Sequence, residues 1–268
     1  MSELFESIGF EIEGEDSYEV IADYAESSGE RTSQYRSNAT LHGWCWKMGD
    51  GLEVWSVLYD RDGKIYYADC RPAFRSRYVY HIQPWELIEY DEDGEAVICG
   101  TLHNGTEAIF ELQNLTELPS SVFRETHLHV TLAGLAYFVQ ITPSREAKKS
   151  SSSTSHSFEL AENLPEYAQD ACENDYLISG QVLAWRETTN PVTQAPLIWL
   201  YVDLGKLSLE ILANRRSVLG QPMIGATVNA HIWLQGHVLK PGDLSMRYEG
   251  VDWEYQVSDF WGRLRRDN

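Results

Sequence analysis

The sequence predicts a mainly β protein in two parts, an α+β part followed by an all-β part. Three observations predict it. Short segments rich in β-branched and aromatic residues recur along the chain and are punctuated by Gly, Asp or Pro. Helical periodicity is convincing at few places, chiefly near the start. Finally, the stretch SREAKKSSSSTSHS at 144–157 has no apolar residue beyond one alanine and divides the strand-like segments into two groups. The expected layout is therefore an α+β domain at 1–143 with an early helix and an antiparallel sheet. A Ser-rich linker or loop at 144–157 follows, and then a second β domain with an aromatic tail at 158–268.

In the first part, Asp16 followed by Glu19 is a capping signal, and Tyr18, Ile21, Ala22 and Ala25 recur at helical spacing, so a helix is expected over 17–27. Strands are expected at 40–48, 52–60, 64–69, 78–82, 85–90, 96–101, 108–112 and 127–141. The stretches YDRDG at 59–63 and YDEDG at 90–94 have hairpin-turn chemistry. They lack the alternating ligands and distant Glu of a calcium loop.

In the second part, 160–172 is a weak helical or irregular lead-in, and strands are expected at 176–186, 197–204, 207–213 and 227–239. The Gly205-Lys206 pair fits a tight turn of the II′ kind, which fixes the register of the hairpin around it. Asp203 then lies opposite Ser208, Tyr201 opposite Glu210 and Trp199 opposite Leu212 on one face. The other face carries Ile198, Leu200, Val202, Leu204, Leu207, Leu209 and Ile211 and is expected to be the core face.

Three features of the second part carry a resemblance: ISGQV at 178–182, the hairpin WLYVDLG (199–205) with LSLEIL (207–212), and GATV at 225–228 leading into WLQG at 233–236. This pattern resembles an OB-type barrel over about residues 174–240. The resemblance implies a ligand face on the second and third barrel strands and the loops after the first and fourth, carrying Trp199, Tyr201, Asp203 and Glu210 and extending to Trp185. The two-part layout as a whole resembles an uncharacterised group of bacterial proteins, and that resemblance brings no activity with it. A weaker likeness lies in FESIGFEI at 5–12, the helix, and GLEVWSV at 51–57. It resembles a module of the vicinal-oxygen-chelate enzymes and implies His42 and Glu53 as metal ligands.

The chain carries 41 acidic against 21 basic residues, a formal charge of −20 that repels polyanions and works against nucleic acid and anionic membrane as partners. The segment MSELFE carries no basic region or apolar stretch of signal type, and a cytoplasmic protein is expected. Four cysteines without a C-x-x-C spacing point to reduced, buried thiols rather than a zinc or redox site. No catalytic motif occurs, so no catalytic residue and no cofactor are assigned. Three groups of binding candidates remain. Trp199, Tyr201, Trp233 and Glu210 form an outward aromatic face that suits ring stacking. Arg71, Arg75 and Arg77 form a basic island, interleaved with Phe74, Tyr78 and Tyr80, that suits an anion or acidic peptide. His127 and His129 alternate along one strand, an arrangement that suits a metal ion. The expected function is a non-enzymatic binding or interaction module with a protein or small-molecule partner. The alternatives are a metal-dependent enzyme and a single-strand nucleic-acid binder.

Overall fold

The computed structural model describes residues 2–36, 39–90, 94–143, 156–164 and 172–240. Most of the Ser-rich stretch, part of the expected lead-in at 160–172 and the aromatic tail with Trp253, Tyr255, Phe260 and Trp261 lie outside the described residues. The protein is mainly β, with two helices, a four-stranded antiparallel sheet and a larger mixed sheet. Helices α1 (Ser2–Ser7) and α2 (Glu15–Ser28) precede the small sheet, β1 (Glu30–Arg36), β2 (Ala39–Gly49), β3 (Leu52–Arg61) and β4 (Lys64–Phe74), paired in that order. The large sheet begins with β5 (Val79–Tyr90), β6 (Glu95–Leu102), β7 (Glu107–Leu112) and β8 (Leu128–Thr142). It is completed by β9 (Ser157–Leu160), β10 (Asp175–Thr189), β11 (Pro196–Asp203), β12 (Ser208–Asn214), β13 (Val218–Leu219) and β14 (Thr227–Val238).

The two expected segments at 78–82 and 85–90 are one strand, β5. Its register shifts between Pro84 and Glu86, a bulge beside a residue that has no N–H to give to the ladder. The polar strand β1, an edge strand, gave no apolar alternation to predict it. The β11–β12 hairpin has the expected register, Asp203 to Ser208, Tyr201 to Glu210 and Trp199 to Leu212. Gly205 takes a left-handed φ of 86° at its turn, and Leu204 N donates to Leu207 O at 2.8 Å. The seven aliphatic residues of the opposite face all lie in the main core.

The Ser-rich stretch does not separate two sheets. Strand β8, from before it, pairs parallel with β12 and antiparallel with β14, and β14 also pairs parallel with β7. Residues on both sides share one core, in which Ile82, Phe110, Leu132 and Val139 join Ile178, Val202, Ile211 and Ile232. A segment poor in apolar residues marks the absence of local core contribution, not the end of a fold.

The pairings form two circuits with a common seam. One runs β5–β6–β7–β14–β8 and back to β5; the other runs β10–β11–β12–β8–β14 and back to β10. Each circuit takes a three-strand meander, then a fourth strand of its own, and borrows the other's fourth strand as its last member. The β8–β14 register places Gly134 opposite Leu234 and Gly236 opposite Leu132, so the two glycines occupy equivalent places about the Ala133–Gln235 pair. Glu111 beside Gln235 and Glu210 beside Ala133 are equivalent in the same sense.

Candidate functional site

The expected aromatic face exists as a geometric surface, but it is filled by the chain itself. Alternation along β11 and β12 turns Trp199, Tyr201 and Glu210 away from the circuit core. The Trp199 and Tyr201 rings are parallel within 7°, and Trp199 Nε1 donates to Glu210 Oε1 at 2.9 Å. Trp199 is 0% exposed and Trp233 4%, packed with Phe5, Ile8, Leu52 and Phe74. Tyr78 stacks on the half-buried Tyr201 at 4.4 Å with the planes 6° apart, and Arg77 N donates to Glu210 Oε2 at 2.8 Å. Tyr80 OH donates to Ser208 O. Burial pushes the Glu210 carboxyl up against the opposing pull of its donors from Ser76, Arg77 and Trp199. Trp199, Trp233 and Glu210 are therefore core residues, which corrects their assignment to an open ligand face.

Arg71 and Arg75 of the basic island are consumed internally too. The small sheet presents an apolar face to the helices, where Leu52, Val54, Cys70 and Phe74 meet Ile21, Ala22 and Ala25. The residues that alternate with these point to the large sheet and mix the apolar Trp55, Val57 and Ala73 with the charged Glu53 and Arg71. Arg71 Nη1 donates to Asp69 Oδ2 at 2.9 Å, and its Nε lies 3.5 Å from Glu111 Oε1. Arg75 Nε donates to Glu53 Oε1 at 2.8 Å, while Trp55 Nε1 and His237 Nε2 both reach Glu53 Oε2 at 3.0 Å. Despite its burial, the Glu53 carboxyl is held well below the usual range by Arg75 and His237. An ionised Glu53 only accepts, so His237 Nε2 carries its proton. Burial, with the Arg75 charge beside it, depresses the His237 imidazole. Glu111 is driven the other way by burial, with Arg71 opposing. Neither Gln235 nor Thr131, both fully buried in this layer, has a hydrogen-bond partner for its side chain among the described residues. The arginines at 71 and 75 thus tie the small sheet to the large one and are not presented to an outside anion. Arg77, half-buried, holds Glu210 through its backbone.

The metal candidates do not come together. His127 is exposed and precedes β8, with Nδ1 near Thr126 Oγ1. His129 lies in β8 opposite His81, their ring centroids 4.3 Å apart. His42 Nδ1 is within 2.8 Å of Ser33 Oγ, far along β2 from Glu53, which pairs with Lys47 and faces His237. Among the described residues no group of three His, Cys, Asp or Glu side chains is placed to hold a metal ion. Cys45 and Cys70 are buried with their thiols pushed up by desolvation, and Cys99 is buried as well, while Cys172 is exposed.

Two of the clefts among the described residues are of a size to hold a ligand. One, of about 700 Å³, lies beside the β10–β11 connection and mixes Arg186 and Arg215 with Asp50 and Glu187. The other, also about 700 Å³, lies between α2 and β4. Its lining is acidic and aromatic: Glu19, Asp23 and Glu26 from the helix, Asp69 from the strand, and a tyrosine on each side, Tyr18 and Tyr67. No Lys or Arg lines it among the described residues. Glu19 and Asp23 are exposed, Glu26 accepts from Ser56 Oγ at 2.9 Å, and Asp69 is already paired with Arg71. The helical period had marked the apolar side of α2. The charged side was legible as Glu19-x-x-x-Asp23, but its facing strand was not.

Residues 164–236 match a family described as "Domain of unknown function, E. rectale Gene description (DUF3881)". The match takes in β10 to most of β14 and leaves out β8, the strand that β12 and β14 share. Neither the curated proteins nor the solved structures contain a match.

Proposed function

We propose that this protein is a non-enzymatic binding module in which two interlocked OB-like barrels form the scaffold and the cleft between α2 and β4 takes a positively charged partner. The pairing order supports the barrels. In each circuit a three-strand meander is followed by a fourth strand antiparallel to the first. The third strand runs parallel to the last, as in an OB-type barrel. Under this description each barrel closes only by taking the other's fourth strand. The faces that such barrels offer to nucleic acid are poor candidates here. The β11–β12 face is packed against the chain's own residues, and the net charge repels a polyanion.

One observation carries the site: an open cleft with three helix carboxylates and no basic lining residue among the described residues. Such a lining attracts a cation, and the two tyrosines supply faces on which a cationic head is held. The test is titration of a labelled oligolysine into the protein at low and high salt. Binding is expected at low salt and is expected to weaken about tenfold in Glu19→Gln/Asp23→Asn. The control is Glu107→Gln/Glu159→Gln, two exposed carboxylates elsewhere that give the same change in net charge. Equal weakening in both double variants would show that only the overall charge matters and would remove this site.

A further inference from the structure

We infer that the partner of this cleft is an extended cationic peptide that adds to the free edge of β4 as a fifth strand. This rests on the cation-binding reading above and specifies its ligand. The small sheet runs β1–β2–β3–β4, and among the described residues β4 has a strand neighbour on the β3 side alone. Its outer edge therefore offers backbone N–H and C=O groups to another strand, the arrangement that extended peptides use when they join a sheet.

Between Lys64 and the irregularity at Ala68 that edge carries Ile65, Tyr66 and Tyr67, exposed by 65%, 43% and 55%. Ile65 pairs with Asp60 and Tyr67 with Leu58, so their side chains stand on the α2 face, above the cleft; Tyr66 points to the opposite face, where it stacks on Tyr59 at 4.9 Å. The register shift at Ala68 and the proline at 72 mark where the edge ceases to be a regular ladder, because proline has no N–H to give. The docking length is therefore about 64–70.

The charge pattern fits the same occupant. Residues 18–26 of α2 and 67–70 of β4 line one groove, so helix and strand flank it together for roughly 10 Å. Glu19 and Asp23 are four residues apart, about 6 Å along the helix. Alternate side chains of an extended strand are about 6.8 Å apart. A peptide with Lys or Arg at alternate positions, laid against β4, meets successive carboxylates of α2 with one face and covers Tyr67 with its aliphatic stems.

The probe is a short, end-blocked peptide of alternating Lys and Val, measured by calorimetry against the full chain. Two isomers N-methylated on alternate residues go with it, one on each edge of the peptide. Strand addition uses one edge, so one isomer is expected to lose at least tenfold in affinity while the other binds like the parent. If both isomers bind like the parent and Glu19→Gln/Asp23→Asn still weakens all three, strand addition is overturned and the cation site stands. If the parent peptide does not bind while oligolysine still does, strand addition is overturned and the cation site stands; if neither binds, both fall.

Discussion

Replacing Glu53 by Gln tests the polar layer that joins the two sheets. The side chain keeps its shape but loses the charge that accepts from Arg75 Nε at 2.8 Å and from Trp55 Nε1 and His237 Nε2 at 3.0 Å. All four side chains lie in the interior or nearly so, and Arg75 would be left without its charged partner on Glu53. Breaking a buried pair from one side costs about 3–5 kcal/mol, against a total of about 5–15 kcal/mol for an ordinary domain. For a chain of this length about 1 kcal/mol moves the melting point by roughly 2–4 °C, so Glu53→Gln is expected to melt about 6–20 °C lower. The assay is thermal and urea unfolding at pH 7.5, followed by far-ultraviolet circular dichroism. The pH dependence follows from the directions of the shifts. Both Glu53 and His237 have folded-state values below their unfolded ones. Their contribution is therefore complete above the unfolded values of about 4.3 and 6.5 and is lost as pH falls through the folded values. The parent should lose stability on acidification, and Glu53→Gln should lack the steep part below about pH 4. A fall in melting point under about 2 °C, with the acid limb unchanged, would mean that the pair is not what holds these sheets together.

Other perturbations separate the members of this core. Glu111 is shifted upward by burial, the opposite direction to Glu53. Its contribution is present below about pH 4.3 and lost as pH rises through its folded value, so Glu111→Gln should be at least as stable as the parent at pH 8, with the gap narrowing toward pH 5 in urea midpoints. Gly236→Ala places a Cβ 2.6 Å from Phe110 Cδ2 and 2.8 Å from the Thr131 carbonyl oxygen, where β7 meets β14. A loss of about 1–3 kcal/mol is expected in chemical unfolding. Trp199→Phe keeps the ring in its pocket but removes one donor from Glu210; a loss of about 1–3 kcal/mol with oligolysine binding unchanged would separate this face from the proposed site.

Most strands are legible in the sequence, and the β11–β12 hairpin to the residue, because alternation and the Gly205 turn are local signals. The sequence does not show which distant strand completes a circuit. Strand β8 is apolar on both faces, and nothing within it says that it serves β12 and β14, beyond the Ser-rich stretch, as well as β5. The same limit explains the misplaced sites. Period-two alternation distinguishes two faces of β11 but not what covers them, so Trp199 read as an open platform. A signal for burial was nevertheless present in the register: Glu210, adjacent in space, gives the indole N–H the acceptor it needs once water is gone. The basic island misled in a comparable way. Arg71 is flanked by cysteine and proline, and Arg75 follows Ala73 and Phe74, neighbours suited to a buried strand rather than a solvated patch.

The fate of those arginines bears on the proposed partner. Arg36, Arg71 and Arg75, all in or near the interior, answer Glu89, Asp69, Glu111 and Glu53 inside the protein. Their cationic charge is thereby spent on internal carboxylates, while Glu19 and Asp23 stay exposed beside an edge strand, β4, with exposed tyrosines and no second strand neighbour among the described residues. An anionic partner would have to approach this face against uncompensated carboxylates; a cationic strand supplies the missing charge and the missing backbone pairing at once.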